Sequence, residues 1–388
     1  MSPPPRTLVY FGHLPAEGAG SAIIVYRHLK RFTDAGWNVR IVADWGQERF
    51  LPTCLDHGWP VMTLSHRKKW WPPFNANRSL SRALRTWLWA GEVRAWLGTN
   101  HPDAVFTYLS AFSDTLSLAA AGFARRYRLP FATIVHDDAR DFLKDSAEGA
   151  LAHERRQWIV ENSSKAWFAS PGLAACFRLD QKIVGMLPPI PEGATAISAT
   201  SESSQESPLL IYAGNYWFPQ LPVLATLARA TRESGARFLA VLKENTDDVA
   251  YLRSHNVDWR APFAKNTEAL DYYRSHAAAM VVSYANSSDD MPWTRTSFPS
   301  KLIEYCHLGL PLVIVAPEDT AIVRWARERN FPDVFAPTDL EGFKRYVSQL
   351  KDPVFRRNRA ELSLSFARGE FDPAAIQQQL IDSLTLHA

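Results

Sequence analysis

Short apolar runs alternate with longer amphipathic stretches along most of the chain, and this alternation limits the possible folds more than any other feature. Strands separated by helix-length crossovers pair in parallel, so the pattern predicts an α/β protein with parallel sheets wrapped by helices. The first unit is the clearest: Thr7–Phe11 reads as a buried strand, 12–20 as a loop, 21–35 as an amphipathic helix stopped by Gly36, and 38–42 as the next strand. Further strands are expected at 104–108, Phe131–Val135 and 165–169, with a helix of small residues over 111–127 and the Leu129-Pro130 pair as a breaker. After Leu187 the texture changes to a proline-rich turn and then a Ser/Thr-rich stretch without apolar periodicity, which reads as a connector. Alternation then resumes with Leu209–Ala213, a helix over 219–233, and strands at 238–242, 279–284 and Leu312–Val315. We therefore expect a first domain over 1–190, a linker over 191–207, a second domain over 208–370 and a closing helical segment over 371–388. Two such domains on one linker leave a cleft, and ligands of open parallel sheets sit at the carboxyl ends of strands.

Composition narrows the class. With 388 residues, 46% of them hydrophobic, the chain has enough apolar mass for two cores, which excludes disordered, fibrous and small stapled scaffolds. The formal charge is only +3, so any attraction to nucleic acid or membrane must come from a local patch. Three widely spaced cysteines, Cys54, Cys176 and Cys306, are expected to be thiols of a reducing compartment. The N-terminal MSPPPRTLVYFGH lacks the apolar core and basic leader of a secretory signal, and the most apolar stretch, 104–124, is interrupted by Asp114. A cytoplasmic protein without a membrane span is the expectation.

Three segments point to chemistry. The loop GHLPAEGAGS, holding Gly18, Gly20 and Ser21, leads from a strand into a helix, where free N–H groups can receive phosphate or a sugar hydroxyl. Its spacing is not GxGxxG, so a dinucleotide is not implied, and the glycines could equally do no more than permit the turn. His136, Asp137 and Asp138 follow a strand at a carboxyl end, a place for catalytic groups. No metal site is expected there, because the nearest other histidine is His153. The third segment is FPSKLIEYCHLGLPLVI. Pro299 suits the first turn of a helix, placing Ser300 and Lys301 at its start and Glu304 one turn later, and Gly309 closes it before a buried strand. Such a start can hold phosphate oxygens, while Glu304 can accept hydrogen bonds from vicinal hydroxyls. Phosphate beside a diol describes a nucleotide.

This seventeen-residue segment resembles the donor-binding helix of glycosyltransferase family 4 and its neighbours in the GT-B superfamily. The Gly-rich loop, the strand-end histidine of IVHDD, the serine of AWFASPG, the IYAGN start of the second domain and the C-terminal helix agree in order. The resemblance implies a GT-B fold of two Rossmann-like α/β domains facing across a cleft, with a C-terminal helix crossing back to the first domain. It also implies a retaining, nucleotide-sugar-dependent hexosyltransferase with a UDP- or GDP-linked co-substrate and no cofactor or obligatory metal. By the same resemblance Glu304 would bind ribose hydroxyls, and Ser300, Lys301 and Leu302 the diphosphate. Gly18, Gly20 and Ser21 would close over the donor, Gly214 and Asn215 would join its site, and His136, with Asp137 and Asp138, would face the donor sugar. Two departures stand out. The family's second glutamate is replaced by Thr296, leaving Asp289 or Asp290 as substitutes, and GNYWFPQ lacks the family's Arg and Lys, which leaves Lys243 beside Lys301 for the phosphates.

Residues 66–96 carry seven basic side chains against the single acid Glu92, together with five tryptophans. Arg67, Lys68, Lys69, Trp70 and Trp71 head this patch, which suits an anionic membrane surface and a glycan or lipid-linked acceptor; a solvated helix with tryptophans turned inward is the plainer reading, and nucleic acid takes a minor share. The expected place is the cytoplasm, at the inner face of the membrane. Two alternatives remain beside transfer: a GT-B-like sugar-nucleotide isomerase (an epimerase) working through His136, Asp137 and Asp138, and a degenerate protein that binds nucleotide sugar without transfer.

Overall fold

Parallel strands covered on both faces have no polar side, so they form where the sequence gives uninterrupted apolar runs. The computed structural model describes residues 5–17, 20–44, 51–64, 75–109, 114–143, 146–193, 207–243 and 245–385. The chain divides into two compact units, one formed by Met1–Ile190 with Ala374–Ala388, the other by Pro191–Pro373.

In the first unit, β1 (Thr7–Phe11), β2 (Asn38–Ala43), β3 (Val61–Thr63), β4 (Ala104–Leu109), β5 (Phe131–Val135), β6 (Lys165–Phe168) and β7 (Val184–Met186) form one sheet. Its order is β3-β2-β1-β4-β5-β6-β7 and every pairing is parallel. Alternation along each strand splits the core in two: Val9 and Phe11 pack with Val105, Leu109 and Val135, whereas Leu8 and Tyr10 pack with Ile41, Phe106 and Ile134 on the opposite face. The helix Pro373–Thr385 adds Ile376, Leu380 and Leu384, spaced by four residues, to the second of these cores. It is fastened by a 2.8 Å bond between the His28 Nδ1 and Gln377 Oε1 atoms, and by the Trp167 indole N–H on the Ser383 hydroxyl at 3.3 Å.

The second unit repeats the plan with β8 (Leu209–Ala213), β9 (Arg237–Val241), β10 (Asp258–Arg260), β11 (Ala279–Ser283), β12 (Leu312–Val315) and β13 (Val334–Phe335), again all parallel, in the order β10-β9-β8-β11-β12-β13. The order reverses between β1 and β4 in one sheet and between β8 and β11 in the other. Those reversals open a crevice at the carboxyl ends of the strands, where open sheets bind ligands.

The structure corrects some bounds. The helix expected at 219–233 is Leu221–Glu233, preceded by a separate 3-10 turn at Phe218–Gln220. The helix expected at 111–127 is described over Thr115–Tyr127, and the Ser/Thr stretch 194–206 lies outside the described residues. Four strands escaped the sequence pattern: β3, β7, β10 and β13 are the edges of the two sheets, two or three residues long and at most partly buried. Among the described residues no helix is long and apolar enough to cross a membrane.

Candidate active site

Beyond β5 the chain turns sharply, and the turn is braced from beneath. The Asp137 carbonyl accepts from Arg156 Nη1 at 2.9 Å, and the fully buried Arg156 pairs with Asp114 through Nε at 2.9 Å. Arg155 takes the other Asp114 oxygen at 3.0 Å. His136 is buried, its ring 4.8 Å from that of Tyr108. Burial, with His28 nearby, pushes its pKa down to about 3, so the imidazole is neutral at physiological pH. Asp138 has a different task. Its carboxylate accepts from Arg140 N and Nε, both at 3.0 Å, and from Arg140 Nη2, and lies 3.4 Å from His153 Nδ1. Burial raises its pKa, but the nearby His153 ring and the bonds from Arg140 outweigh that and hold the carboxyl well below the usual range. Asp138 thus caps the short turn that follows β5.

His13, just past β1, was missed by the sequence reading. Its ring meets Tyr108 edge-on at 5.5 Å, so two imidazoles flank one phenol at the carboxyl edge of the sheet. Gly20 opens the helix Gly20–Asp34 with a φ of 44°, and Ser21 follows it. Gly18 lies outside the described residues, as do Arg67, Lys68, Lys69, Trp70 and Trp71.

In the second unit Gly214, Asn215 and Lys301 come together at the end of β8. Gly214 has a φ of +104°, and a Cβ there would lie 2.7 Å from Lys301 Cε, so both backbone and space require glycine. Lys301 stretches over this gap and donates to the Tyr212 hydroxyl at 3.0 Å and the Asn215 carbonyl at 2.5 Å, with its ammonium 4.5 Å from the Tyr212 ring centre. Both acceptors are neutral oxygens. Burial without a compensating anion pushes its pKa down to about 7. Gln220 is buried, and it ties the reversal together by donating to the Ser283 carbonyl at 2.6 Å and the Tyr212 hydroxyl at 3.3 Å.

The helix carrying Lys301 is Ser300–Cys306. Pro299 precedes it in an extended conformation and does not form its first turn. Ser300 is exposed and Glu304 half-buried, one turn after Lys301. Leu302 is fully buried and its N–H donates to the Pro299 carbonyl at 3.2 Å. The Tyr305 hydroxyl pins the helix to the Ala213 carbonyl at 2.8 Å. Lys243 is exposed and shares with Asn215 a cavity of about 760 Å³. Asp289, a substitute for the missing glutamate, is instead paired with Arg295, which also holds Asp319 at 3.0 Å.

No family model matches the chain, and no curated protein matches it in sequence. Solved structures do match in fold. The Anabaena HepE complex with UDP-glucose superposes with a TM-score of 0.65 at 12% identity, covering 98% of this chain and 99% of that one. A glycosyltransferase from Rickettsia africae gives 0.67 at 10% identity over 99% and 98% of the two chains. The lipopolysaccharide outer core galactosyltransferase WaaB gives 0.61 at 12% identity over 98% and 100%. With two all-parallel sheets of seven and six strands, reversals at β1/β4 and β8/β11, and likeness over nearly the full length of these enzymes, the chain has the GT-B fold.

Proposed function

We propose that the protein transfers a sugar from a UDP- or GDP-linked donor to a glycan or lipid-linked acceptor. The observation that carries this reading is the Lys301 ammonium, held at the end of β8 by two neutral oxygens, with Glu304 one turn further along the same helix. A lysine without an anionic partner beside a crevice awaits an anion, and a carboxylate nearby suits a ribose diol. HepE, which shares the fold, was solved with UDP-glucose bound. In transfer, Lys301 and Lys243 oppose the charge that grows on the departing diphosphate. On the family resemblance we read the transfer as retaining, which the anomer of the product tests by proton NMR. The isomerase reading loses ground because Asp138 is held ionised by Arg140 and His153. Calorimetric titration of UDP and GDP into wild type and Glu304→Ala tests the proposal: one nucleotide should bind, and the variant should bind it at least about tenfold more weakly, the loss of a charged hydrogen bond. Unchanged affinity would remove the ribose role.

A membrane-facing acceptor fits the helix Ser79–Leu97. Leu80, Leu84 and Trp87, spaced for one face, are 85%, 46% and 54% exposed, and the Arg126 guanidinium covers the Trp87 ring at 4.4 Å. An apolar stripe beside cations is the composition of an interfacial helix. Flotation with anionic vesicles should be weakened by Leu80→Ser with Leu84→Ser, and undiminished flotation would refute the assignment.

A further inference from the structure

The cavity next to β8 has a wall that phosphate binding does not explain. Trp217 is 46% exposed and Phe218 is 72% exposed, in the place where the family resemblance leads one to expect cations. Water-facing aromatics of this size lose free energy unless something covers them. Trp217 is also held firmly. Its backbone N–H donates to Gln220 Oε1 at 2.8 Å, Gln220 is itself anchored to β11, and the Trp217 indole packs at 4.6 Å against that of Trp293. Across the cavity the Tyr216 hydroxyl and the Asn245 amide converge on Asp248 Oδ2, at 2.5 and 2.7 Å. Lys243 and Asn215 complete the polar rim of this space of about 760 Å³, a size suited to a small ligand.

We propose that this cavity is a saccharide site that takes a pyranose ring, its C–H face on Trp217 and Phe218 and its hydroxyls toward Asp248 and Asn245. The combination selects the ligand class. An apolar ligand would strip water from the polar rim without replacing its hydrogen bonds, and a simple anion would meet the Asp248 carboxylate. A pyranose has one apolar face and a periphery of donors and acceptors, matching both walls. The inference rests on the sugar-transfer reading for the origin of the ring, which is either the donor's sugar or the acceptor glycan.

Saturation-transfer NMR tests it on the full chain, with the methyl α-pyranosides of glucose, galactose and mannose as probes and UDP and GDP titrated in parallel. Wild type should pass saturation from its aromatic protons to the ring protons of at least one glycoside. Trp217→Ala should weaken that glycoside about tenfold, the loss of one stacking surface, and Phe218→Ala should weaken it as well, while nucleotide affinity stays within about twofold. Both side chains are exposed, so unchanged circular dichroism is expected of the variants. Displacement of the glycoside by UDP-glucose or GDP-mannose, but not by UDP or GDP, assigns the ring to the donor; persistence beside the nucleotide sugar assigns it to the acceptor. No transfer to any glycoside, or equal transfer in Trp217→Ala, overturns the site. So does silence of the glycosides with nucleotide binding lost in Trp217→Ala, which would make the indole a nucleobase platform. If wild type binds glycosides but neither nucleotide, the saccharide site stands and the nucleotide-sugar reading falls.

Discussion

Lys301 should take up a proton when the diphosphate binds. Its pKa lies near 7 because the ammonium is partly desolvated against the Tyr212 hydroxyl and the Asn215 carbonyl, with no anion among the described residues to offset that loss. A diphosphate supplies that anion and holds the lysine charged, so the free protein must acquire whatever protons it lacks. With a pKa near 7, the free amine is neutral in about nine molecules of ten at pH 8, so binding should draw in about 0.9 proton there and about 0.1 at pH 6. Above pH 7 the affinity should fall about tenfold per pH unit. The assay is calorimetry at pH 8 in HEPES and in Tris, whose ionisation enthalpies differ widely; the dependence of apparent enthalpy on buffer gives the proton number. Lys301→Arg, with a guanidinium that stays charged, should reduce it to about zero. No uptake by wild type at pH 8, or the same uptake in Lys301→Arg, would refute the reasoning.

Three further outcomes follow from the packing. Gly214→Ala, at φ +104° and against Lys301 Cε, should cost about 1–3 kcal/mol in denaturant titrations and weaken nucleotide binding by moving the lysine; a neutral effect on both would contradict the geometry. Asp114→Ala removes a charge partner of the fully buried Arg156 and should destabilise the first unit by about 3–5 kcal/mol, whereas a loss below about 1 kcal/mol would show the pair to be dispensable. The His28 pKa is pushed down to about 4 by burial, while the unfolded chain takes up that proton near pH 6.5; stability is therefore full above pH 6.5 and lost as pH falls toward 4. His28→Asn should flatten that decline by up to about 1.4 kcal/mol per pH unit between denaturation curves at pH 6.5 and 4.5, and an unchanged slope would rule His28 out as its source.

The central strands could be read from the sequence because each is buried on both faces and so is almost wholly apolar: Thr7–Phe11, Phe131–Val135, Leu209–Ala213 and Leu312–Val315 have the expected bounds. The edge strands could not, since Val184–Met186 or Val334–Phe335 is too short for any period and partly open to solvent. At the site, local motifs revealed the helix of Lys301 and the His136 turn. What they did not reveal depends on contacts distant in sequence. Arg156 reads as one more helix arginine until the fold sets it under Asp137, and Gln220 reads as a neutral loss of charge until it is seen joining β8 to β11. The surroundings of Asp138 were hidden for a related reason, because Arg140 and His153 reach it only once the chain has turned.

The helix Pro373–Thr385 belongs to the core of the unit that contains the first residues of the chain. The order of folding during synthesis follows from this. The second unit is continuous from Pro191 to Pro373 and can bury its apolar faces as soon as its own residues have emerged. The first unit, although made earlier, keeps the surface meant for Ile376, Leu380 and Leu384 open to water until the whole of the second unit has been translated. A nascent chain of this plan therefore exposes a sticky flank of its sheet for most of its time on the ribosome, and a fragment ending near Ile190 would keep that flank permanently.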